Sequence, residues 1–388
     1  MTCIDRVVGP VALIAALCCG ASLAPAHAAP PLIAAGGEHS LAVMADGSVW
    51  AWGYTGRGEP SPGAALVHPV PVLRARGIVA ASASSQHHFL GLRRDGRVLA
   101  WGWNFFGQLG DGTQRQRDAV VAVKGLREVV AVSAGSDFSV ALGADGSVWI
   151  WGGNFGGQLG DAGGPSQRLR LAPMRLRGVS EVKAIAAGLG DSYALDTAGR
   201  VWHWGRNSYL IDDAAAGRAA RYTPVPVRGL DGVVAIANGG EHAVALKRDG
   251  TVWAWGINPD GRLGDGSRVY STEPVKVRYL SGVVAISAGR HHNLALRVDG
   301  SVYAWGGNAG GQLGDGTTAD RELALPVRGL SHVVAIATGS AHSLALRADG
   351  SVWSWGDNGA GQLGDGSTGR KLLPVRVTAR RGKPFSLR

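Results

Sequence analysis

Cysteine is nearly absent from this chain of 388 residues, and its three copies, Cys3, Cys18 and Cys19, all lie near the start. The rest of the sequence therefore has no thiol for a disulfide or a thiolate metal site. Charged residues make up only 18% of the chain against 45% hydrophobic residues, a balance that argues against disorder. The 61 glycines follow no three-residue period, which excludes collagen.

Long hydrophobic runs are also missing, apart from one stretch at the start, Val7 to Leu23. Arg6 precedes it, and the small-x-small pattern that ends at Ala28 predicts cleavage before Ala29. We therefore predict that residues 1–28 are a signal peptide and that the protein is exported from a bacterial cell, to be secreted or periplasmic. An uncleaved anchor or a misassigned start codon is the alternative. No later run approaches 18 residues, so no transmembrane segment is expected after cleavage.

Acidic residues are outnumbered, 29 against 39 basic residues, which gives a formal net charge of +10. This excess favours anionic partners, and we expect a protein, with an acidic one fitting best, or else an anionic polymer of the cell envelope. Nucleic acid is not expected as the partner of an exported protein. The basic residues are scattered along the chain rather than clustered.

One unit of about 50 residues recurs seven times, and it replaces the two or three domains that length alone would suggest. The clearest copy, residues 333–377, reads VVAIATGSAHSLALRADGSVWSWGDNGAGQLGDGSTGRKLLPVRV. Each copy carries a Trp-Gly pair, at Trp52, Trp101, Trp151, Trp204, Trp255, Trp305 and Trp355. Residues 29–388 are therefore predicted to form a single repeat array.

Each copy contains four short strand patterns, VVAIAxG, HSLALR, SVWSWG and LPVRV in the last one. Asp349-Gly350 between the second and third patterns predicts a two-residue hairpin turn. With that turn, Leu346 would lie opposite Trp353 and Leu344 opposite Trp355. One face of the sheet would then be bulky and the other small, so that each copy covers its neighbour.

A ring of such sheets satisfies every face at once, which is the architecture of a β-propeller. We predict an all-β fold, a seven-bladed β-propeller of four-stranded antiparallel blades. The first copy begins late, at Leu32, and the last ends after its fourth strand. This arrangement predicts that the N-terminal strand completes the last blade and so closes the ring.

The repeat resembles that of the regulator of chromosome condensation family, AGxxHSLALxxDGxVWxWGxNxxGQLGxG, over residues 32–378. Six of the seven copies match closely, and the fourth departs most. The resemblance implies a propeller with interaction roles. The founding member of the family is a nuclear guanine nucleotide exchange factor that also binds chromatin, and a secreted bacterial member inhibits β-lactamase. An export signal places both nuclear partners out of reach.

The recurrent residues are expected to serve the fold. The tryptophan columns would form the core, and the histidine column, His39, His88, His242, His292 and His342, would be hydrogen-bonded at strand starts. One histidine per blade lies too far from the next to share a metal ion. The GQLGDG segments are interpreted as tight turns. No metal, cofactor or catalytic residue is predicted.

Departures from the repeat carry the functional hypothesis. The loops after Trp-Gly in copies one to four contain aromatic and arginine residues, the types that dominate binding hot spots. Corresponding loops of a propeller share one face, so these side chains could form a contiguous arc. The predicted partner-binding residues are Tyr54, Trp103, Phe105, Phe106, Phe155, Tyr209, Arg115 and Arg117, with Arg168, Arg170 and Arg206 in or after the same loops. The alternative is that the rings cap the ends of the blades.

The sequence thus predicts a monomeric, non-catalytic propeller that binds a protein through one loop face. An enzyme or glycan-binding protein of the cell envelope is the second hypothesis, and it requires a central pocket with convergent polar groups. An exchange-factor-like regulator with a misassigned start is the third.

Overall fold

The computed structural model describes residues 32–54, 66–161, 168–206 and 221–387. The predicted signal peptide and Tyr209 lie outside these ranges, so those two predictions are not addressed by the structure. The described residues form 28 strands in seven four-stranded antiparallel sheets. The predicted seven-bladed β-propeller is confirmed.

Each blade takes four consecutive strands. Blades 1 to 4 are β1 Leu32–Ala35, β2 His39–Val43, β3 Val49–Gly53 and β4 Leu66–Pro71; β5 Ile78–Ala83, β6 His88–Arg93, β7 Val98–Gly102 and β8 Arg117–Ala122; β9 Val129–Ala134, β10 Phe138–Gly143, β11 Val148–Gly153 and β12 Leu169–Arg175; β13 Val182–Ala187, β14 Asp191–Asp196, β15 Val201–Gly205 and β16 Arg221–Pro226. Blades 5 to 7 are β17 Val233–Asn238, β18 His242–Lys247, β19 Val252–Gly256 and β20 Ser271–Lys276; β21 Val283–Ala288, β22 His292–Arg297, β23 Val302–Gly306 and β24 Arg321–Pro326; β25 Val333–Thr338, β26 His342–Arg347, β27 Val352–Gly356 and β28 Lys371–Arg376.

The hairpin between the second and third strands has a three-residue loop, so the predicted two-residue turn and its register are wrong by one residue. In blade 7 the Gly350 amide donates to the Arg347 carbonyl (2.9 Å), and Gly350 lies at φ +82°. A type I turn followed by a left-handed glycine gives this loop. The observed pairs are Ser343 with Trp355, Leu344 with Ser354, Ala345 with Trp353 and Leu346 with Val352.

This register changes the composition of the two faces but keeps the packing of blade on blade. The tryptophans share their face with small residues such as Ala345, and the leucines share theirs with valine. Between blades 6 and 7, Trp355 and Ala345 pack against Leu294 and Val302. All seven Trp-Gly indoles are fully buried, as predicted. Burying an indole removes roughly 150–250 Å² from water, so this column dominates the core.

Ring closure differs from the prediction. Strand β1 pairs with β2 of its own blade, and the last blade is completed by its own β28. The expectation that the N-terminal strand completes the last blade is therefore wrong. The chain enters at the inner strand of blade 1 and ends beyond the outer strand of blade 7. Each blade is one continuous segment, and blades 1 and 7 meet by packing of side chains.

The C-terminal tail, residues 378–387, occupies the junction between blades 7 and 1. The Leu387 amide donates to the Gly350 carbonyl (3.0 Å), and the Leu387 side chain is 0% exposed. The Phe385 ring lies 5.7 Å from that of Trp50 and 5.9 Å from that of Trp52. In the other junctions the position of Leu387 belongs to the first inner-strand residue, Ile78, Val129, Val182, Val233, Val283 or Val333, all buried. The tail therefore supplies the core residue that this junction needs.

Four of the five column histidines link neighbouring blades. The pairs are His88 Nε2 with Ser139 Oγ (2.9 Å), His242 Nε2 with Asn293 Oδ1 (2.7 Å), His292 Nε2 with Ser343 Oγ (2.8 Å) and His342 Nε2 with Ser40 Oγ (2.9 Å). The Ser343 hydroxyl and the Trp355 indole then donate to the Gln312 carbonyl of the preceding blade. The predicted hydrogen-bonding role is confirmed for these four. His39 is the exception, because Phe89 stands where its partner would be.

These histidines predict that the fold loses stability in mild acid. Burial lowers their pKa values, to about 3 for His88, His242 and His292, to about 4 for His342, and well below the usual range for His39. A histidine whose pKa is depressed in the folded state does not reduce stability above about pH 6.5, its pKa in the unfolded chain. Below that pH the free energy of unfolding falls, until the pH reaches the pKa of the folded state. Each histidine adds a slope of about 1.4 kcal/mol per pH unit in that window. Burial raises the pKa of Asp191 to about 7, so this residue contributes a slope of the same size and opposite sign.

Urea unfolding measured from pH 7 to pH 4 should therefore show a steadily falling free energy of unfolding. His88→Phe should reduce the slope of the unfolding free energy against pH by the contribution of one histidine. Blade 2 should tolerate this change, since Phe138 occupies the equivalent position in blade 3. The exposed His332 provides the control, and His332→Ala should leave the slope unchanged. An unfolding free energy that does not vary across this range would contradict the prediction.

Candidate functional site

The ring has two edges with different connections. The loops that join the first to the second strand and the third to the fourth strand of each blade lie together, and we call this edge the loop face. The Trp103 amide donates to the His87 carbonyl (3.1 Å), which ties one kind of loop to the other. The hairpin turns and the turns between blades form the opposite edge, the turn face. There the Ile78 amide donates to the Gly47 carbonyl (3.0 Å).

The long loop of blade 2 is held in shape by its own polar side chains. Asn104 accepts a hydrogen bond from the Leu109 amide (2.9 Å) and donates to the Thr113 carbonyl (2.9 Å). The Gln108 side chain accepts from the Phe106 amide (2.9 Å), and Gln114 donates to the Phe105 carbonyl. These bonds satisfy the loop backbone internally. The aromatic rings of the loop are thus left free of any role in holding its backbone.

Four rings form a continuous row on the loop face across blades 1 and 2. Tyr54 and His87 lie 4.6 Å apart between centroids, His87 and Trp103 5.0 Å, and Trp103 and Phe105 5.6 Å. All three contacts are edge-to-face, the arrangement that aromatic pairs prefer. Phe105 is 54% exposed at the end of the row, and Tyr54, His87 and Trp103 are half-buried. We call these four residues the aromatic row.

His87 was not predicted, and it is the centre of the row. The turn that carries it is one residue longer than in the other blades, since Ser84 bonds to His88 four residues on, whereas Gly36 bonds to His39 three residues on. The extra residue leaves His87 at φ +64°, a conformation uncommon outside glycine. Burial lowers the pKa of His87 below its usual value. The signal was visible in the sequence as one additional residue before His88.

The remaining predicted residues, two phenylalanines and several arginines, do not belong to the aromatic row. Phe106 and Phe155 form a second pair, 5.0 Å apart, that bridges blades 2 and 3, and Phe155 is 52% exposed. Arg115 is exposed in the same loop as Phe106. Arg117 instead forms an ion pair with Asp111 (2.8 Å) that fastens its own loop, and Arg170 does the same with Asp161 in blade 3. Arg168 and Arg206 are exposed. Of the five predicted aromatic residues that the structure describes, three lie in the row with His87 and two form the separate pair.

The axis of the ring holds an open cavity on the loop face, with about 450 Å³ of empty space including its open mouth. Alanine and glycine from all seven blades make up most of its wall. The polar side chains that line it are Ser85, Asn238, Arg290, Thr338 and Ser340. Among the described residues this wall contains no carboxylate and no histidine, so it presents no acid–base pair.

Residues 32–54, 66–161, 168–206 and 221–387 contain no group of three His, Asp or Glu side chains placed to hold a metal ion. Within the same ranges no helix is long and apolar enough to cross a membrane.

Family comparison agrees with the repeat and the fold. Residues 58–386 match the RCC1-like domain, and residues 32–59 match the regulator of chromosome condensation (RCC1) repeat. The chain belongs to the RCC1-like family of β-propellers.

Individual relatives share only part of their length with it. The human E3 ubiquitin-protein ligase HERC2 is 32% identical over 246 residues, 60% of this chain and 5% of that protein. The ultraviolet-B receptor UVR8 of Arabidopsis thaliana is 29% identical over 254 residues, 61% of this chain and 56% of the receptor. Prp20p from Saccharomyces cerevisiae, described by its binding to Gsp1p and histones, superposes with a TM-score of 0.74 at 23% identity over 86% of both chains. This last similarity establishes the shared fold.

Proposed function

We propose that this protein is a non-catalytic binding propeller and that the aromatic row is the centre of its protein-binding surface. The supporting observation is the row itself, built on a turn with an extra residue and a left-handed His87. Residues held in uncommon backbone conformations cluster at functional sites. The adjoining Phe106–Phe155 pair extends the same surface to blade 3.

The chemistry of this surface suits a protein partner. Aromatic side chains give large contact areas at low cost in conformational entropy, and tyrosine and tryptophan are enriched in binding hot spots. Arg115, Arg168 and Arg206 lie exposed in or near the same loops and would favour an acidic rim on the partner. Arg117 begins β8, directly after the loop that carries Phe105, and would act by holding that loop through Asp111.

The alternative of an envelope enzyme or glycan-binding protein places the site in the axial cavity. The wall of small residues and backbone gives that alternative less support than the aromatic row gives the first. Exchange activity, implied by the family resemblance, and ligase activity, named for the relative HERC2, would each need surfaces that the similarity does not identify. Export through the predicted signal peptide remains part of the proposal. Its test is the N-terminal sequence of the protein in the extracellular and periplasmic fractions, with a start at Ala29 expected.

The aromatic row is tested by alanine substitution. Trp103→Ala and Phe105→Ala should each weaken binding of the partner by about 1–3 kcal/mol while the melting temperature stays close to that of the unchanged protein. Binding is measured by quantitative capture from envelope and supernatant fractions, followed by titration of the purified partner. Val269→Ala, an exposed residue of blade 5, is the matched control and should retain the partner. If the two substitutions unfold the protein, the rings are blade caps and the proposal fails.

A further inference from the structure

The turn face carries the positive charge of the molecule, although the basic residues are scattered in the sequence. The hairpin turns and the turns between blades, together with the tail, contain fifteen basic and nine acidic residues. The described loops of the loop face contain seven basic and eleven acidic residues. One basic position recurs in five of the turns between blades, as Lys124, Arg177, Arg228, Arg278 and Arg328, so the ring brings residues that are far apart in sequence to one edge. Four of the loop-face aspartates are paired with arginine or lysine at the start of the fourth strand, whereas the turn face keeps an excess of basic residues.

The turn face also carries the most exposed apolar side chains among the described residues. Leu73 is 73% exposed between blades 1 and 2, and Tyr279 and Val298 are 85% and 73% exposed between blades 5 and 6. The Val298 amide donates to the Gly282 carbonyl (3.0 Å), which places Val298 beside the turn of Tyr279. These side chains project from two remote sectors of the ring.

Tyr279 stands at a position that favours glycine. The equivalent residues of blades 2, 3, 4 and 6 are Gly125, Gly178, Gly229 and Gly329, at φ +74° to +85°. Tyr279 has φ +57° and Arg74, its counterpart in blade 1, has φ +69°. A left-handed conformation costs free energy for residues other than glycine. Neither side chain is buried in compensation, so packing does not explain why these two residues replace glycine.

We propose that the turn face docks on the surface of an anionic lipid bilayer. Arginine and lysine would contact the headgroups, and Leu73, Tyr279 and Val298 would enter the interfacial layer, where tyrosine is favoured. The turns of all seven blades lie at one edge of the ring, so residues from every sector face the same side. Apolar anchors spread over opposite sectors suit a bilayer better than a protein partner, whose hot spots cluster at the centre of the contact. The loop face would then point away from the bilayer.

Vesicle flotation with the full chain tests this proposal, and it does not depend on the function proposed for the aromatic row. The protein should bind vesicles of phosphatidylcholine with about one third phosphatidylglycerol, and not vesicles of pure phosphatidylcholine. Binding should weaken as the salt concentration rises above about 0.15 M. Arg74→Gly should reduce partitioning about fivefold, the effect of one basic residue near the surface.

A variant that restores the repeat separates membrane contact from stability. Tyr279→Gly, combined with Leu73→Ser and Val298→Ser, should reduce partitioning at least about tenfold, while Tyr279→Gly alone should leave thermal stability unchanged or higher. Val269→Ser with Tyr270→Ser, exposed residues of the blade 5 loop, is the matched control and should bind like the unchanged protein. The proposal would be overturned if the protein did not bind anionic vesicles. It would also be overturned if the triple variant and the Val269→Ser, Tyr270→Ser control lost binding equally. Binding to polyglutamate without binding to vesicles would assign the face to an acidic polypeptide and overturn it as well.

Discussion

Replacing Phe385 and Leu387 together by alanine should lower the free energy of unfolding by roughly 5 kcal/mol or more. Buried Leu→Ala changes cost about 2–5 kcal/mol and Phe→Ala changes about 3–5 kcal/mol. Both side chains are almost completely buried between blades 7 and 1, and no strand is shared across this junction. The tail is therefore the element that completes the closing interface.

The measurement is urea unfolding, together with amide hydrogen exchange in β1 and β27. The variant should show a lower unfolding midpoint and faster exchange at the two blades that flank the junction. Leu373→Ala, a partly exposed residue of β28, should change stability by no more than about 0.5 kcal/mol. A tail variant with unchanged stability would show that the ring closes without it.

Asp260→Ala is expected to cost about 3–5 kcal/mol, because it removes the carboxylate that accepts two hydrogen bonds from a buried guanidinium and leaves only the half-exposed Glu241, 3.6 Å away, as its ionic partner. Arg262 is 2% exposed and takes the place of the glutamine in the GQLGDG segment. Its Nε and Nη2 donate to the two carboxylate oxygens of Asp260 (2.6 Å each), and Nη1 donates to the Arg290 carbonyl (3.1 Å). Burial alone would raise the pKa of Asp260, but hydrogen bonds from His291 and Arg262 outweigh it and hold the pKa well below its usual range.

The repeat itself supplies the compensating change. In blade 7 the corresponding residues are Ala360 and Gln362, and the Gln362 side chain accepts from the Ala360 amide (2.8 Å). Asp260→Ala with Arg262→Gln should therefore recover most of the stability that Asp260→Ala alone removes. Denaturant titration of the two single variants and the double variant gives the coupling energy. Additive losses would mean that Asp260 acts independently of Arg262.

The sequence was sufficient for the architecture because every level of the repeat favours the same fold. Four strand patterns, a hairpin turn and two tryptophan columns recur along the seven copies. A departure in one copy, such as the fourth, therefore does not obscure the pattern. The hairpin register was missed because Asp-Gly is compatible with both a primed two-residue turn and a type I turn with a glycine bulge. Hydrogen bonding at Gly350 distinguishes them, and that is a property of the folded backbone.

The functional surfaces were only partly predictable. Trp103 and Phe105 stood out as departures from the repeat, and they do lie in one row. His87 was missed because a one-residue insertion before a strand has no residue-type signature. The basic turn face was missed because the basic residues were judged by their clustering along the sequence, and residues that are far apart in sequence meet at one edge of the ring. Distance along the chain says little about distance in a structure that returns to the same edge every 50 residues.

Because each blade is one uninterrupted segment, the unit of sequence and the unit of structure are in phase. Duplication or deletion of one repeat would add or remove a complete sheet, with its core tryptophans and both of its surfaces. In a ring closed by a shared strand, the same event at the terminal repeat would divide a sheet. Recombination at the turns between blades can therefore exchange whole binding loops, such as those that carry the aromatic row, without disturbing the hydrogen bonding of the neighbours.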